Sequence, residues 1–398
     1  MNGHTTVFDA SVPSSGSYVQ QNDSHIHSMT MNGNGNVNFG GNGNVNYGGN
    51  GNFEGNRSIH QQQNSFIMDV NCLSVGIDLG GSHVTAVVVN TSTGDILVKC
   101  TTEVSYEERK DVQCIVDKIC ECVQTVLSEK FIENIIMSSN GNGMMSMGIG
   151  VPGNVDPVRG VTRYLPNFGW LNEVPLRSAL NASLDRKVKN IKFRPLNMRN
   201  DGRCAALAEA KYGAGKFSPV FSMLTLGTGI GGALVLEGKV FDGCSFDAGD
   251  FGHHTIRSGE EAFDCVCGKR GCFETHASAQ GLVRHFKKLA GTVNSIDCHN
   301  AEYVLQRMRE GDKVARTAFD LYLDDLATGL ANLISFYNPD TIALGGGLSQ
   351  SVELFERVQG LVDQKLLPAT KDSVMLVPSL LGPDAGAIGA ALVGTLPY

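Results

Sequence analysis

The sequence predicts an α/β protein with two lobes around a cleft, and three observations carry that expectation. Of the 398 residues, the first 65 or so hold too few apolar side chains to pack. The remainder suits about two domains of ~100–200 residues each. A strand, glycine turn, strand pattern occurs twice, near Asp78–Ser82 and near Gly227–Gly232. Elsewhere strand-length apolar runs alternate with helix-length amphipathic ones, as in sheets covered by helices.

Residues 31–56 form a degenerate eight-residue repeat, with Gly33-Asn34-Gly35-Asn36-Val37-Asn38-Phe39-Gly40 echoed from Gly41. Glycine and asparagine bring chain entropy and little apolar area, so residues 1–65 read as a disordered tail, with weak self-association as the other reading. From Cys72 the character changes. Val75, Ile77 and Leu79 alternate, Gly80-Gly81 turn the chain, and Val84, Ala86 and Val88 alternate again, as paired strands do. After Ser105, the positions Val112, Ile115, Val116, Ile119, Val123, Val126 and Leu127 share one face at helical period. Cys120 and Cys122 point apart on that helix and cannot jointly hold a metal. Met145–Val151 reads as a buried strand before a turn-rich loop. Phe221–Leu226, Ala233–Leu236 and Thr341–Leu344 read as strands, and Tyr322–Tyr337 and Ala385–Val393 as helices.

The formal charge of -8, a pI near 5.7 and the lack of a basic stripe exclude a nucleic-acid surface, which needs clustered Lys and Arg to replace phosphate counterions. No apolar run approaches the ~20 residues of a membrane span, so no membrane partner is expected. The cysteines number eleven, and no secretory leader opens the chain. A cytoplasmic home follows as the expectation.

Gly227-Thr228-Gly229-Ile230-Gly231-Gly232 matches the dinucleotide pattern, but that fingerprint needs a helix after the glycines. Here the apolar Ala233–Leu236 and the turn Glu237-Gly238-Lys239 follow, so a strand leaves the loop. Both glycine turns are thus hairpins. Each is either plainly structural or a place where bare backbone N–H groups surround anionic oxygens, and together they favour a nucleotide triphosphate. Asp78 ends the first strand, where a carboxylate suits Mg²⁺ or its waters.

These stretches carry a family resemblance over residues 72–398. In chain order they are Gly76-Ile77-Asp78-Leu79-Gly80-Gly81, Gly150-Val151-Pro152-Gly153 with Pro166-Asn167-Phe168-Gly169-Trp170, Asn200-Asp201, Leu226–Gly232, Gly252-His253, the cysteine cluster Cys265–Cys272, and Asn338-Pro339 with Gly345-Gly346-Gly347. The chain resembles the repressor, open reading frame, kinase (ROK) family of sugar kinases. The resemblance implies a two-lobed actin-like, hexokinase-like (ribonuclease H-like) ATPase fold. A smaller lobe would span 72–197 with the closing helix 384–398, and a larger one 198–383.

Local sequence alone reads Asp201 as the N-cap of the helix that follows, since Asp accepts free amides well. The resemblance instead implies that Asn200 and Asp201 hold the sugar and that Asp201 takes the proton of the attacking hydroxyl. It also implies sugar contacts from Asn167, Asp250, His253 and Glu274, and ATP and Mg²⁺ contacts from Asp78, Gly80, Gly81, Ser82, Gly227, Thr228, Gly229, Gly231, Gly345 and Gly346. Gly345-Gly346 alone reads equally as a tight turn, and Asp250 alone as a turn carboxylate. Two positions depart from the family: Asp250 stands where Glu is usual, and Arg203 where Asn is usual, the latter reading as a surface change.

Cys265, Cys267 and Cys272 lie within eight residues, and His253 stands twelve residues upstream of the first. Three thiolates and an imidazole make a closed structural Zn²⁺ site; free cysteines are the other reading. The resemblance supports the metal and marks Ser258–Glu261 as an exposed insertion. The expected activity is ATP-dependent phosphorylation of a hexose, glucose first, then N-acetylmannosamine or N-acetylglucosamine. A sugar-sensing repressor would need a helix-turn-helix ahead of the core, where this chain has a Gly/Asn-rich segment. A non-catalytic sugar-binding protein is the remaining alternative. A homodimer or homotetramer fits the family's habit.

Overall fold

The computed structural model describes residues 29–31, 37–39, 70–138, 144–188, 191–291 and 300–397. The expected disorder over 1–65 otherwise lies outside the described residues; within it, Met29–Met31 (β1) and Val37–Phe39 (β2) pair antiparallel.

In the compact unit Ser65–Tyr398, the alternating valines and isoleucines form Leu73–Leu79 (β3) and His83–Asn90 (β4), followed by Ile96–Glu103 (β5). These three run as an antiparallel meander. The helical-period run gives Val112–Leu127 (α1), capped by Asp111, whose side chain accepts the amides of Gln113 and Cys114. Lys130–Ser138 (α2) follows. Met144–Val151 (β6) then pairs parallel with β3. Asn154–Asp156 (β7) and Val161–Tyr164 (β8) form a small hairpin before Leu176–Lys187 (α3). Lys192–Phe193 (β9) and Asn197–Asn200 (β10) complete the first sheet alongside β6, and Asp201–Tyr212 (α4) starts with no connecting residue.

The second sheet repeats this plan. Val220–Leu226 (β11), Ile230–Leu236 (β12) and Lys239–Val240 (β13) form an antiparallel meander. The turn between β12 and β13 places Glu237 at φ 49° and Gly238 at φ 73°, which suits a tight hairpin. After Phe273–Ala277 (α5), Ala279–Ala290 (α6), Ala301–Arg309 (α7) and Lys313–Tyr337 (α8), Thr341–Gly345 (β14) pairs parallel with β11. Val352–Asp363 (α9) leads to Met375–Pro378 (β15) on β14, and Ala385–Thr395 (α10) closes the chain. The expected helix Tyr322–Tyr337 thus begins nine residues earlier, at Lys313, because Asp312 supplies a cap that accepts the Val314 and Ala315 amides.

α10 and α4 lie back to back between the sheets. α10 packs on β3 and β6, and α4 packs on β11 and β12. Glycines make the approach possible: a Cβ on Gly76 would lie 2.0 Å from the Ala387 carbonyl oxygen, and one on Gly148 2.1 Å from that of Ala390. α1 and α3 share a core with the first sheet, and α5 to α9 with the second. On α4, buried Glu209 accepts the amides of Leu380 and Leu381 with Oε1 and of Ala214 with Oε2. This ties the approach to α10 onto α4. Among the described residues no helix is long and apolar enough to cross a membrane.

Candidate active site

Two carboxylates meet where α4 begins. Asp78, next to last in β3, pairs with Gly150 of β6. A Cβ on Gly150 would lie 3.6 Å from Asp78 Oδ1 and 3.4 Å from Asp201 Cα, ordinary contact distances that place both acids next to that residue. Burial, then the charges of Asp201 and Asp384, push the Asp78 carboxyl up to about 7. Burial also raises Asp201, against the opposing Gly202 N–H and the Arg203 guanidinium. Acids crowded together in a buried place resist being charged together, which suits them to a cation and to proton transfer.

Asn200, not Asp201, caps α4. Its Oδ1 accepts the Arg203 N–H at 3.2 Å, and its Nδ2 donates to the Gly153 carbonyl at 3.2 Å. Asp201 occupies the first helical position, with Oδ1 accepting the adjacent Gly202 N–H at 2.8 Å. The N-cap reading of Asp201 is therefore corrected: the strand runs straight into the helix, which moves the cap one residue earlier.

The glycine turns occupy matching places in the two sheets. Gly80 N–H donates to the His83 carbonyl at 2.9 Å, leaving Gly81 and Ser82 exposed. In the second turn Gly227 N–H donates to the Gly229 carbonyl at 3.0 Å, with Thr228 exposed and Gly231 paired to Thr225. Glu274 Oε2 accepts the Ile230 N–H at 2.9 Å. A Cβ on Gly229 would lie 2.1 Å from that same oxygen. Gly345 pairs with Thr225. Gly346, at φ 88°, would place a Cβ 2.6 Å from the Leu226 carbonyl oxygen. Gly227, Thr228, Gly229, Gly231, Gly345 and Gly346 thus gather at one end of the second sheet.

Asp250 is exposed and His253 half-buried in the turn that leads to the cysteines. The segment before Asp250 is fastened by four side chains, two from the β7–β8 hairpin, one from β10 of the first sheet and one from α4. Arg163 donates to the Ser245 carbonyl at 3.0 Å, Asn154 to Asp247 and Arg199 to Asp242. Arg203 donates to the Ala248 carbonyl from Nε at 3.1 Å and Nη2 at 2.7 Å. Arg203 is 4% exposed, so its reading as a surface change is corrected: α4 turns that position inward, onto the loop carrying Asp250. None of the four anchors left a local signature, because each joins residues at least 43 positions apart. Asn167 is exposed in the turn Pro166–Phe168, where buried Phe168 packs edge-on against Trp170 with ring centroids 5.3 Å apart.

His253 Nδ1 lies 3.7 Å from Cys265 Sγ, and Cys267 Sγ lies 3.6 Å from Cys272 Sγ. All four donor atoms fall within 4.8 Å of one another. Tetrahedral Zn²⁺ with thiolate bonds of about 2.3 Å separates sulfurs by roughly 3.8 Å, so the donor set fits that ion. Lys269 Nζ donates to the His253 carbonyl at 2.7 Å, holding the imidazole-bearing turn against the cysteine loop. Ser258–Glu261 is exposed, as expected of an insertion.

Residues 74–395, which hold these glycine turns, acids and cysteines, match the model of the ROK family. The chain belongs to the ROK family. Its ROK region is 31% identical over 332 residues to a glucokinase of Thermotoga maritima, covering 80% of this chain and 96% of that protein. It is 29% identical over 325 residues to an N-acetyl-D-glucosamine kinase of Pasteurella multocida, covering 79% and 97%. A ROK family glucokinase from Streptomyces griseus, solved with glucose and AMPPNP, superposes with a TM-score of 0.62 at 28% identity, covering 81% of this chain and 98% of that one. The actin-like ATPase fold expected from the resemblance is therefore the fold of this protein.

Proposed function

We propose that this ROK sugar kinase transfers the γ-phosphoryl group of ATP to a hexose hydroxyl, the 6-hydroxyl of glucose first among acceptors, with Asp201 as general base. The observation that carries this reading is the half-buried Asp201 carboxylate, released from helix capping by Asn200 and set beside Asp78. A sugar hydroxyl is a weak nucleophile, and a carboxylate in hydrogen-bond reach orients it and accepts its proton as the bond to phosphorus forms. Asn167, Asn200, Asp250, His253 and Glu274 are assigned to the sugar, whose hydroxyls both donate and accept. The glycine turns, with Ser82 and Thr228, are assigned to the phosphates, and Gly345-Gly346 to the adenosine end. Asp78 would hold Mg²⁺ or its waters, and that ion neutralises charge developing on the transferring group.

His253, Cys265, Cys267 and Cys272 would hold a structural Zn²⁺ with no position left for water. Using Nδ1 for the cluster leaves His253 the other ring nitrogen for the sugar, so the metal would fix a substrate contact. The smaller lobe, 72–197 with 384–398, and the larger, 198–383, would close over the sugar and keep water from the phosphoryl group.

A coupled ADP-release assay with ATP and Mg²⁺ tests the reaction, offering glucose, mannose, fructose, N-acetylglucosamine and N-acetylmannosamine in parallel. Glucose is expected to give the highest kcat/KM. Preference for an N-acetylated sugar would move the assignment to an amino-sugar kinase, and binding without turnover would overturn the catalytic reading.

The raised Asp78 carboxyl has a pH signature. Its folded pKa, about 7, lies above the ordinary carboxylate value, so its protonated form stabilises the fold at low pH and that contribution is lost as pH rises through about 7. A bound cation reverses the penalty. Mg²⁺ is therefore expected to raise the Tm more at pH 8 than at pH 6, read by thermal melting with and without the ion. Equal shifts at the two pH values would remove Asp78 from the cation site.

A further inference from the structure

A buried polar cluster lies behind the cysteine loop, outside the site described above. Asp325 of α8, His276 of α5 and His285 of α6 are 0%, 1% and 7% exposed. Asp325 Oδ1 accepts Arg257 Nε at 2.5 Å. Its Oδ2 lies 3.1 Å from His285 Nε2 and 3.4 Å from His276 Nδ1. Both approaches are oblique, so neither makes a well-formed hydrogen bond to Oδ2.

The three donor atoms fall within 4.8 Å of one another, a spacing a metal could span. The proton positions argue against one. Phe263 N–H donates to His276 Nε2 at 3.2 Å, so that nitrogen carries the lone pair and the neutral ring holds its proton on Nδ1, facing Asp325. A metal-bound histidine uses its second nitrogen as a donor, whereas this one accepts. His285 Nε2 also lies 3.2 Å from the His276 carbonyl oxygen, which calls for a proton there too. The cluster is therefore one carboxylate facing two imidazole N–H groups, its charge answered by Arg257.

The cluster reaches the site at two points. Phe263, two residues before Cys265, stacks on His276 with ring centroids 4.5 Å apart. Glu274, two residues before His276 on the same short helix, holds the Ile230 amide of the second glycine turn. We propose that Asp325 is a positioning residue for the sugar and phosphate site: through His276 it fixes the helix that aims Glu274 and, by way of Phe263, the loop that delivers Cys265. The kinetic part of this proposal rests on the sugar-kinase reading, and the metal part on Zn²⁺ binding.

The test compares Asp325→Asn, His276→Gln and His276→Asn with wild type. Gln reaches the Phe263 amide with its carbonyl and gives up the contact to Asp325. Asn keeps an N–H near the Nδ1 position, facing Asp325. The readouts are KM and kcat for sugar and MgATP, the rate of Zn²⁺ release to a chromogenic chelator, Zn²⁺ per chain and Tm. Asp325→Asn and His276→Gln are expected to raise both KM values and speed Zn²⁺ release about tenfold each, with a smaller change in kcat. His276→Asn is expected to restore most of the wild-type behaviour. If Asp325→Asn fails to fold, the two His276 variants decide.

A lowered Tm with unchanged KM and Zn²⁺ release would overturn the proposal in favour of plain core packing. Two Zn²⁺ per wild-type chain, with one lost in Asp325→Asn, would overturn it in favour of a ligand set. If wild type turns over no sugar, the sugar-kinase reading fails and the release rates still judge Asp325. If wild type binds no Zn²⁺, the KM values do.

Discussion

Asp201→Asn is expected to lower kcat/KM by about 10²–10⁴-fold, the usual contribution of a general base, while the protein stays folded with near-normal KM for sugar and MgATP. The separation of effects follows from the N-terminus of α4. Asn200 supplies the cap, so the substitution removes no capping carboxylate, and an amide oxygen at 201 can still accept the Gly202 N–H. It also removes one of the charges that push the Asp78 carboxyl upward, which leaves the Tm unchanged or raises it. Melting curves and the coupled ADP-release assay on the same preparation check both halves. A kcat/KM within threefold of wild type would remove Asp201 from the mechanism, and a large fall in Tm would return it to a structural role.

Cys272→Ser is expected to strip Zn²⁺ from the chain, raise the sugar KM about tenfold or more and lower the Tm. Cys272 is fully buried, immediately precedes the short helix carrying Glu274, and its Sγ lies 3.7 Å from the His253 carbonyl oxygen. A metal held there would tie the turn bearing His253 to the helix bearing Glu274, so its loss would loosen together the two residues proposed to contact the sugar. Chelator-treated wild type should show the same change and recover on adding Zn²⁺, with metal content measured by atomic emission. Metal-free protein with normal kinetics would sink the coupling of metal to sugar.

Much of the fold was legible because its signals are local. Val75, Ile77 and Leu79 alternate, Val112 to Leu127 repeat at helical period, and the apolar run Ala233–Leu236 reads as a strand from its own residues. Arg203 shows where such reading stops. Its neighbours describe a helix, and nothing nearby tells that the helix turns it onto the Ala248 carbonyl, 45 positions away. Asp201 shows a second limit, since a cap depends on whether a strand enters the helix directly, which is a matter of pairing between β10 and β6.

The amino-acid sequence by itself determined the strand and helix pattern, the two glycine hairpins and the four-donor cysteine and histidine set, because backbone freedom, periodicity and ligand spacing act over a few residues. Only the tertiary structure decided that Asn200 frees Asp201, that Glu274 braces the second glycine turn, that Arg203 is buried and that Asp325 gathers His276, His285 and Arg257. Each of these joins side chains brought together by sheet pairing and helix packing, and the energy of such contacts depends on burial and distance that no local run of residues encodes.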